Sequence, residues 1–125
     1  LPLFERVTKY FIDHLPEDYV PYWDLIFSDG SCEPRDTSAA AIAACGILEM
    51  EKYYHNQEFL DIAKKMMSSL SEKYTTVDYL QSNGIIKDGM YSRKHGHKSE
   101  CTSWGDYFYL EALMRMKKSD WKIYW

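Results

Sequence analysis

The sequence predicts an all-α fold in which outer and inner helices alternate, so that the chain builds part of a two-layer ring. Three observations carry that expectation. From Ala39 to Leu48 every position is small or apolar, so no rotation of a helix there would show water a polar stripe. The stretch WGDYFYLEALMRM from Trp104 likewise spreads Tyr107, Phe108, Tyr109, Leu110, Leu113 and Met114 around nearly its whole circumference. The segments that precede each of them, beginning at Leu3 and at Phe59, instead keep their apolar residues to one face. The order outer, inner, outer, inner is what a double ring produces, because an inner helix is packed on both sides and an outer helix on one.

Each element has its own local reason. Leu3, Phe4, Val7, Tyr10, Phe11 and Leu15 share one helical face, with Glu5, Arg6, Lys9 and Asp13 around it. Pro16 closes that helix. The loop to Glu33, with Pro21, Asp29-Gly30 and Ser31, has turn chemistry and little periodicity, and it carries Tyr22, Trp23 and Asp24. Pro34, Arg35 and Asp36 then open the first inner helix. Asp36 or Thr37 can accept a first-turn N–H, which fixes polar groups at the positive end of the helix, expected to border a pocket. After a polar break at His55, Asn56 and Gln57, the residues Phe59, Ile62, Ala63, Met66, Met67 and Leu70 follow the amphipathic template throughout. Asn83-Gly84, Ile85-Ile86, Asp88-Gly89 and Met90-Tyr91 predict a short hairpin or an extended loop. A basic segment runs from Ser92 to Lys98, and the last helix starts at Thr102 or Ser103.

Composition narrows the function classes. A chain of 125 residues suits a single helical domain, residues 1–125, and its 46% hydrophobic and 27% charged content is globular. Four helices are only part of a ring, and the sequence opens straight into a helical pattern without Met, so a truncated piece of a longer ring is expected. In that case the flanks around Ala43, Ile47, Tyr107 and Leu110 stay partly open, or self-association through the exposed inner helices covers them; a compact monomer with those residues buried would instead be a non-catalytic helical module that binds an acidic sugar or a protein partner. A net charge of -4 argues against a general nucleic-acid surface. No apolar run is long enough to span a membrane, and no signal-peptide pattern is present, so no membrane partner is expected. Cys32, Cys45 and Cys101 form no CxxC pair and imply no disulfide framework, which points to the cytoplasm.

The chemistry-bearing residues are few. There is no phosphate-cradling glycine loop, no GxSxG elbow and no strand–helix alternation. His95, His97, Glu100 and Cys101 lie close in sequence but lack a second ligand pair, so no metal and no other cofactor is expected. The 16% aromatic content suits sugar stacking as well as core packing. Trp23 can serve as a sugar platform or pack under its loop. Asp36 can bind a sugar hydroxyl or simply cap its helix. Arg35 can pair with a substrate carboxylate or form a salt bridge to Asp24 or Asp36. Asp106 can complement the dipole of the last helix or touch substrate.

The strings PYWDLIFSDGSCEPRDTSAAAIAACGILEM from Pro21, GMYS from Gly89 and ECTSWGDYFYLEALMRM from Glu100 resemble the C-terminal part of the unsaturated glucuronyl hydrolases, family 88 of the glycoside hydrolases. The unsaturated rhamnogalacturonyl hydrolases share versions of these motifs. The resemblance implies an (α/α)6 barrel acting on disaccharides left by polysaccharide lyases, with a C4=C5 unsaturated uronic acid at the non-reducing end. In that chemistry an Asp protonates C4 of the vinyl ether, water is delivered to C5, and the resulting hemiketal opens and releases the second sugar. The resemblance places the proton-donor aspartates in the first half of the barrel, so no catalytic residue is assigned in this chain and the 125 residues alone are expected to be inactive. It also places the loop after Tyr91 on the leaving side of the sugar. Family members that take sulfated disaccharides present serines and a lysine at the spacing of Ser92, His95 and His97; here Ser92 matches, His95 stands for a Ser and His97 for the Lys. The expected substrate contacts are therefore Tyr91, Ser92, His95, His97, Arg35, Asp36 and Trp23.

Overall fold

The computed structural model describes residues 1–95 and 99–124. Among the described residues four α-helices follow in order, α1 Pro2–Asp13, α2 Thr37–Met50, α3 Gln57–Lys73 and α4 Ser103–Lys117, with a 3₁₀ turn at Arg93–His95. Caps set their starts. The Asp36 side chain accepts from Ser38 N, that of Asn56 from Phe59 N, and that of Thr102 from Gly105 N, each satisfying an N–H that the first turn leaves without a carbonyl.

Side-chain contacts show which way each helix runs. Phe4 packs edge-on against Phe59 with ring centroids 6.0 Å apart, which sets the starts of α1 and α3 side by side. Tyr54, just past the end of α2, donates to the Glu5 carboxylate at the start of α1, so α1 and α2 run in opposite directions. Helices α2 and α4 are parallel. Their first turns approach so closely that a Cβ on Gly105 would lie 3.3 Å from Ser38 Cβ and 2.7 Å from Thr102 Oγ1, while at their far ends Arg115 bonds Glu49. Two helices thus run one way and two the other, the arrangement expected of alternating layers.

The core lies where α2, α3 and α4 meet. Ala40, Ala41 and Ala44 of α2, Ala63, Met66, Met67 and Leu70 of α3, and Tyr109 and Ala112 of α4 are all buried, together with Val20 and Ile86 from the loops. Small residues on α2 let its neighbours come close, and the two methionines and Leu70 fill the space between, each side chain contributing about 1.5–3 kcal/mol by leaving water. Cys45 belongs to this core. Its thiol donates to the Phe108 carbonyl at 3.2 Å, and burial, aided by the nearby Glu111 charge, pushes its pKa up to about 12.

Open flanks do exist, with one correction to their expected position. Tyr107 and Leu110 on α4 are 43% and 47% exposed, and Ala43 is half-buried, but Ile47 is closed at 4%. Ile47 lines a groove with Phe4, Val7, Thr8 and Phe11, so α1 shields it, and the open line along α2 passes through Ile42 and Gly46 instead. The face of α1 is divided as well. Phe4 and Phe11 turn inward while Leu3, Val7 and Tyr10 are exposed.

Between α3 and α4 the chain is an extended loop rather than a hairpin. Thr75 bridges to Ile86 and Gly89 to Glu100, both antiparallel and both isolated, and no strand forms among the described residues.

Candidate functional site

Because α2 and α4 are parallel and adjacent, their N-terminal ends open on the same face, and two loops converge there. The segment from Gly84 to Met90 lies across both helix starts. Asp106 Oδ1 accepts from the backbone N–H groups of Ile85 and Ile86, both at 3.0 Å. Thr37 donates its hydroxyl to the Lys87 carbonyl at 2.7 Å and its N–H to the Asp88 carbonyl at 3.1 Å. Met90 N then donates to Asp36 Oδ1 at 3.3 Å. Gly89 and Glu100 exchange two backbone bonds, 2.8 and 3.1 Å, which close the loop that holds Tyr91 and Ser92. Asp88 sits at φ 60 in that turn, a left-handed conformation that Asp adopts more readily than most residues.

The other loop is pinned from below by Asp18 and Arg35. Arg35 donates to Asp18 Oδ1 at 3.1 Å and to the Val20 carbonyl at 2.6 Å, approaches Asp29 at 3.5 Å and lies 4.0 Å above the Tyr22 ring. Tyr74 donates to the other Asp18 oxygen at 2.7 Å, and burial together with that bond holds its phenol well above the usual range. The salt bridge of Arg35 therefore runs to Asp18 and Asp29 rather than to Asp24 or Asp36. Tyr22 and Arg35 also form an isolated antiparallel bridge, which folds the loop back on itself. Asp29 is itself held below the ordinary carboxyl range, chiefly by the Glu17 backbone N–H, with Tyr22 and Arg35 adding to it.

At the mouth, Trp23 is half-buried, donates its Nε1–H to Glu33 Oε2 at 2.8 Å and lies 5.5 Å from the Phe27 ring. The same Glu33 oxygen is 3.5 Å from Arg93 Nε. Tyr91 is exposed and tilts against Trp104 at the start of α4, ring centroids 6.0 Å apart. Asp36, Trp23, Tyr91 and Ser92 are thus carried by neighbouring elements, while Arg35 is engaged within its own loop. His95 ends the Arg93–His95 turn, and His97 lies outside the described residues. Sequence reasoning did not single out Glu33 or Trp104. Glu33 stands in an aperiodic loop and its partners are 10 and 60 positions away, so no local pattern marks it. The described residues contain no group of three or more His, Cys, Asp or Glu able to hold a metal ion.

Asp36 combines two duties that substitution separates. Its Oδ1 takes the Ser38 N–H at 3.1 Å, the Ser38 hydroxyl at 2.6 Å and the Met90 N–H. Asp36→Ala is expected to lower stability by about 1–2 kcal/mol, whereas Asp36→Asn, whose amide oxygen still caps, should cost under about 0.5 kcal/mol. Urea denaturation of both variants checks this, and equal losses would show that the cap is not what Asp36 contributes.

Comparison with known proteins places this geometry. No family model matches the chain. Over 98% of its length it is 46% identical to the unsaturated chondroitin disaccharide hydrolase of Streptococcus agalactiae, of which it spans 32%. Over 91% it is 38% identical to the unsaturated glucuronyl hydrolase of Bacillus sp. GL1, again spanning 32%. Crystal structures of the Streptococcus agalactiae unsaturated glucuronyl hydrolase superpose with a TM-score of 0.89 at 45% identity, covering 98% of this chain and 32% of that one. A variant of that enzyme complexed with dGlcA-GalNAc6S matches with a TM-score of 0.90 at 46% identity, covering 98% of this chain and 34% of that one. The chain spans about one third of the curated relatives it matches, and the match lies in their C-terminal part. Its four helices match part of the (α/α)6 barrel of these enzymes.

Proposed function

We infer, from a chain that corresponds over nearly its whole length to the C-terminal part of the unsaturated glucuronyl hydrolases, that it is the C-terminal third of such an enzyme. The whole protein would cleave lyase-generated glycosaminoglycan disaccharides by hydrating the C4=C5 vinyl ether of the unsaturated uronic acid. A proton goes to C4, a water oxygen bonds C5, and the hemiketal so formed opens to free the second sugar. The proton donor belongs to the preceding two thirds of the barrel. This chain supplies the wall and mouth on the leaving side, with no metal or other cofactor.

The observation that carries this reading is the convergence of two parallel helix starts with the Trp23 and Tyr91 loops, in a chain 46% identical to a chondroitin disaccharide hydrolase. Helix N-termini favour anions, which suits a uronic acid. Trp23 and Tyr91 offer ring faces to a sugar, the family resemblance assigns Ser92, His95 and His97 to contacts on the leaving side, and Asp36 can accept from a hydroxyl through the oxygen not used by the cap. Arg35 acts beneath the loop, holding Trp23 in place through the pairing of Tyr22 with its own backbone. A cytoplasmic site suits the three unpaired cysteines, and among the described residues no helix is long and apolar enough to cross a membrane. The apolar faces of α1 and α4 would be covered by the remaining helices of the barrel.

The test is an assay of the full-length protein on an unsaturated chondroitin disaccharide, following loss of the C4=C5 absorbance. Loss of absorbance is expected with the full-length protein and none with the 125 residues alone. Activity only on a pectin-derived unsaturated disaccharide would move the protein to the rhamnogalacturonyl enzymes, and activity of the short chain would place the proton donor within it.

A further inference from the structure

Glu33 ties Trp23 on one loop of the mouth to Arg93 on the other. A single oxygen, Oε2, takes the Trp23 indole N–H at 2.8 Å and stands 3.5 Å from Arg93 Nε. Both partners are part exposed: the Glu33 and Arg93 side chains retain 27% and 37% of their accessible surface. Arg93 directly follows Ser92 in the chain, and the proposed function puts Ser92 beside the leaving sugar. An anion arriving there meets a cation whose charge is already opposed by a neighbouring carboxylate, and it must compete with that carboxylate for the same N–H groups.

We propose that Glu33 is a positioning residue that fixes Trp23 and restrains Arg93, and so sets how strongly the mouth favours a leaving sugar that bears a second anionic group. The idea rests on the glucuronyl hydrolase reading above. Removing the charge of Glu33 while keeping an acceptor for Trp23 releases Arg93 toward the substrate. Glu33→Gln does this, because the amide oxygen can still take the indole N–H. Arg93→Gln does the converse, leaving Glu33 and Trp23 bonded.

The experiment uses the full-length enzyme and two unsaturated chondroitin disaccharides, one unsulfated and one 6-sulfated, with kcat and KM measured separately for each. Glu33→Gln is expected to raise the sulfated-to-unsulfated ratio of kcat/KM about three- to tenfold, a screened charge effect of about 0.7–1.4 kcal/mol, with the change falling on KM of the sulfated substrate. Arg93→Gln lowers the ratio below that of the parent enzyme, and in that background Glu33→Gln no longer moves it. A ratio that Glu33→Gln leaves unchanged or lowers overturns the proposal, as does a rise that persists without Arg93. Were Glu33→Gln not to fold, an unaltered ratio in Arg93→Gln alone would sink it. A parent enzyme inactive on both disaccharides would count against the functional reading itself, whereas an active parent with unmoved ratios would count only against the role of Glu33.

Discussion

Arg115→Met is expected to cost the folded protein about 3–5 kcal/mol, the usual penalty for stripping one partner from a buried ion pair. Arg115 is 7% exposed and Glu111 3%. The guanidinium donates twice to Glu111 Oε1, through Nε at 2.9 Å and Nη2 at 2.7 Å, and its remaining arm bonds the Glu49 carboxylate on α2. Methionine keeps much of the volume but leaves Glu111 inside without the cation that neutralises it. Urea denaturation at neutral pH should show the loss, and the double variant Arg115→Met/Glu111→Leu should recover most of it. A loss under about 1 kcal/mol in the single variant would show that the pair is not the clamp between α2 and α4.

The same cluster gives a pH dependence with a definite sign. Burial pushes the Glu49 carboxyl up, but hydrogen bonds from Lys52 and Arg115 outweigh it and hold its pKa below the ordinary value. A depressed carboxyl contributes stability that is complete above its unfolded pKa, about 4.3, and is lost as pH falls through the lower folded value. The Arg115→Met variant should therefore show a flatter decline in stability below about pH 5 than its parent.

Asp106→Ala is the other large expected effect. One carboxylate oxygen takes the N–H groups of both Ile85 and Ile86, and Ile86 is 1% exposed. Alanine leaves two donors without an acceptor, at a cost of about 2–4 kcal/mol. The loss is local in origin, since the segment released is the one that delivers Met90 and Tyr91 to the mouth. Faster hydrogen exchange at Ile85 and Ile86 is the expected outcome, together with a fall of at least about tenfold in the proposed glucuronyl hydrolase kcat/KM of the full-length protein. Asp106→Asn, which keeps an acceptor, should recover part of both. Protected amides in the alanine variant would mean that the segment is held elsewhere.

Asp106 also shows how far sequence reading reaches. Its place in the first turn of α4 suggested a dipole partner or a substrate contact; it does lie in that first turn, and its carboxylate also serves a loop 20 positions earlier in the chain. Arg35 is similar: a substrate carboxylate or the nearby acids Asp24 and Asp36 were the alternatives, and within the chain Asp18 and Asp29 took the bonds because the loop doubles back through the pairing of Tyr22 with Arg35. The helix caps were readable. Asp36 and Thr102 act within three residues of themselves, so their role is written in local order.

The sequence alone determined four helices, where α2 and α4 start, and which of them are apolar all round, because each is a matter of residue type at a spacing of three or four. Its motifs also carried the likeness to glucuronyl hydrolases. Only the tertiary structure decided that α2 and α4 are parallel with their starts together, that α1 shields Ile47 while Ile42 stays open, and that Glu33 joins Trp23 to Arg93. Those outcomes depend on the paths of aperiodic loops, where bonds form between residues tens of positions apart and no repeat along the chain records them.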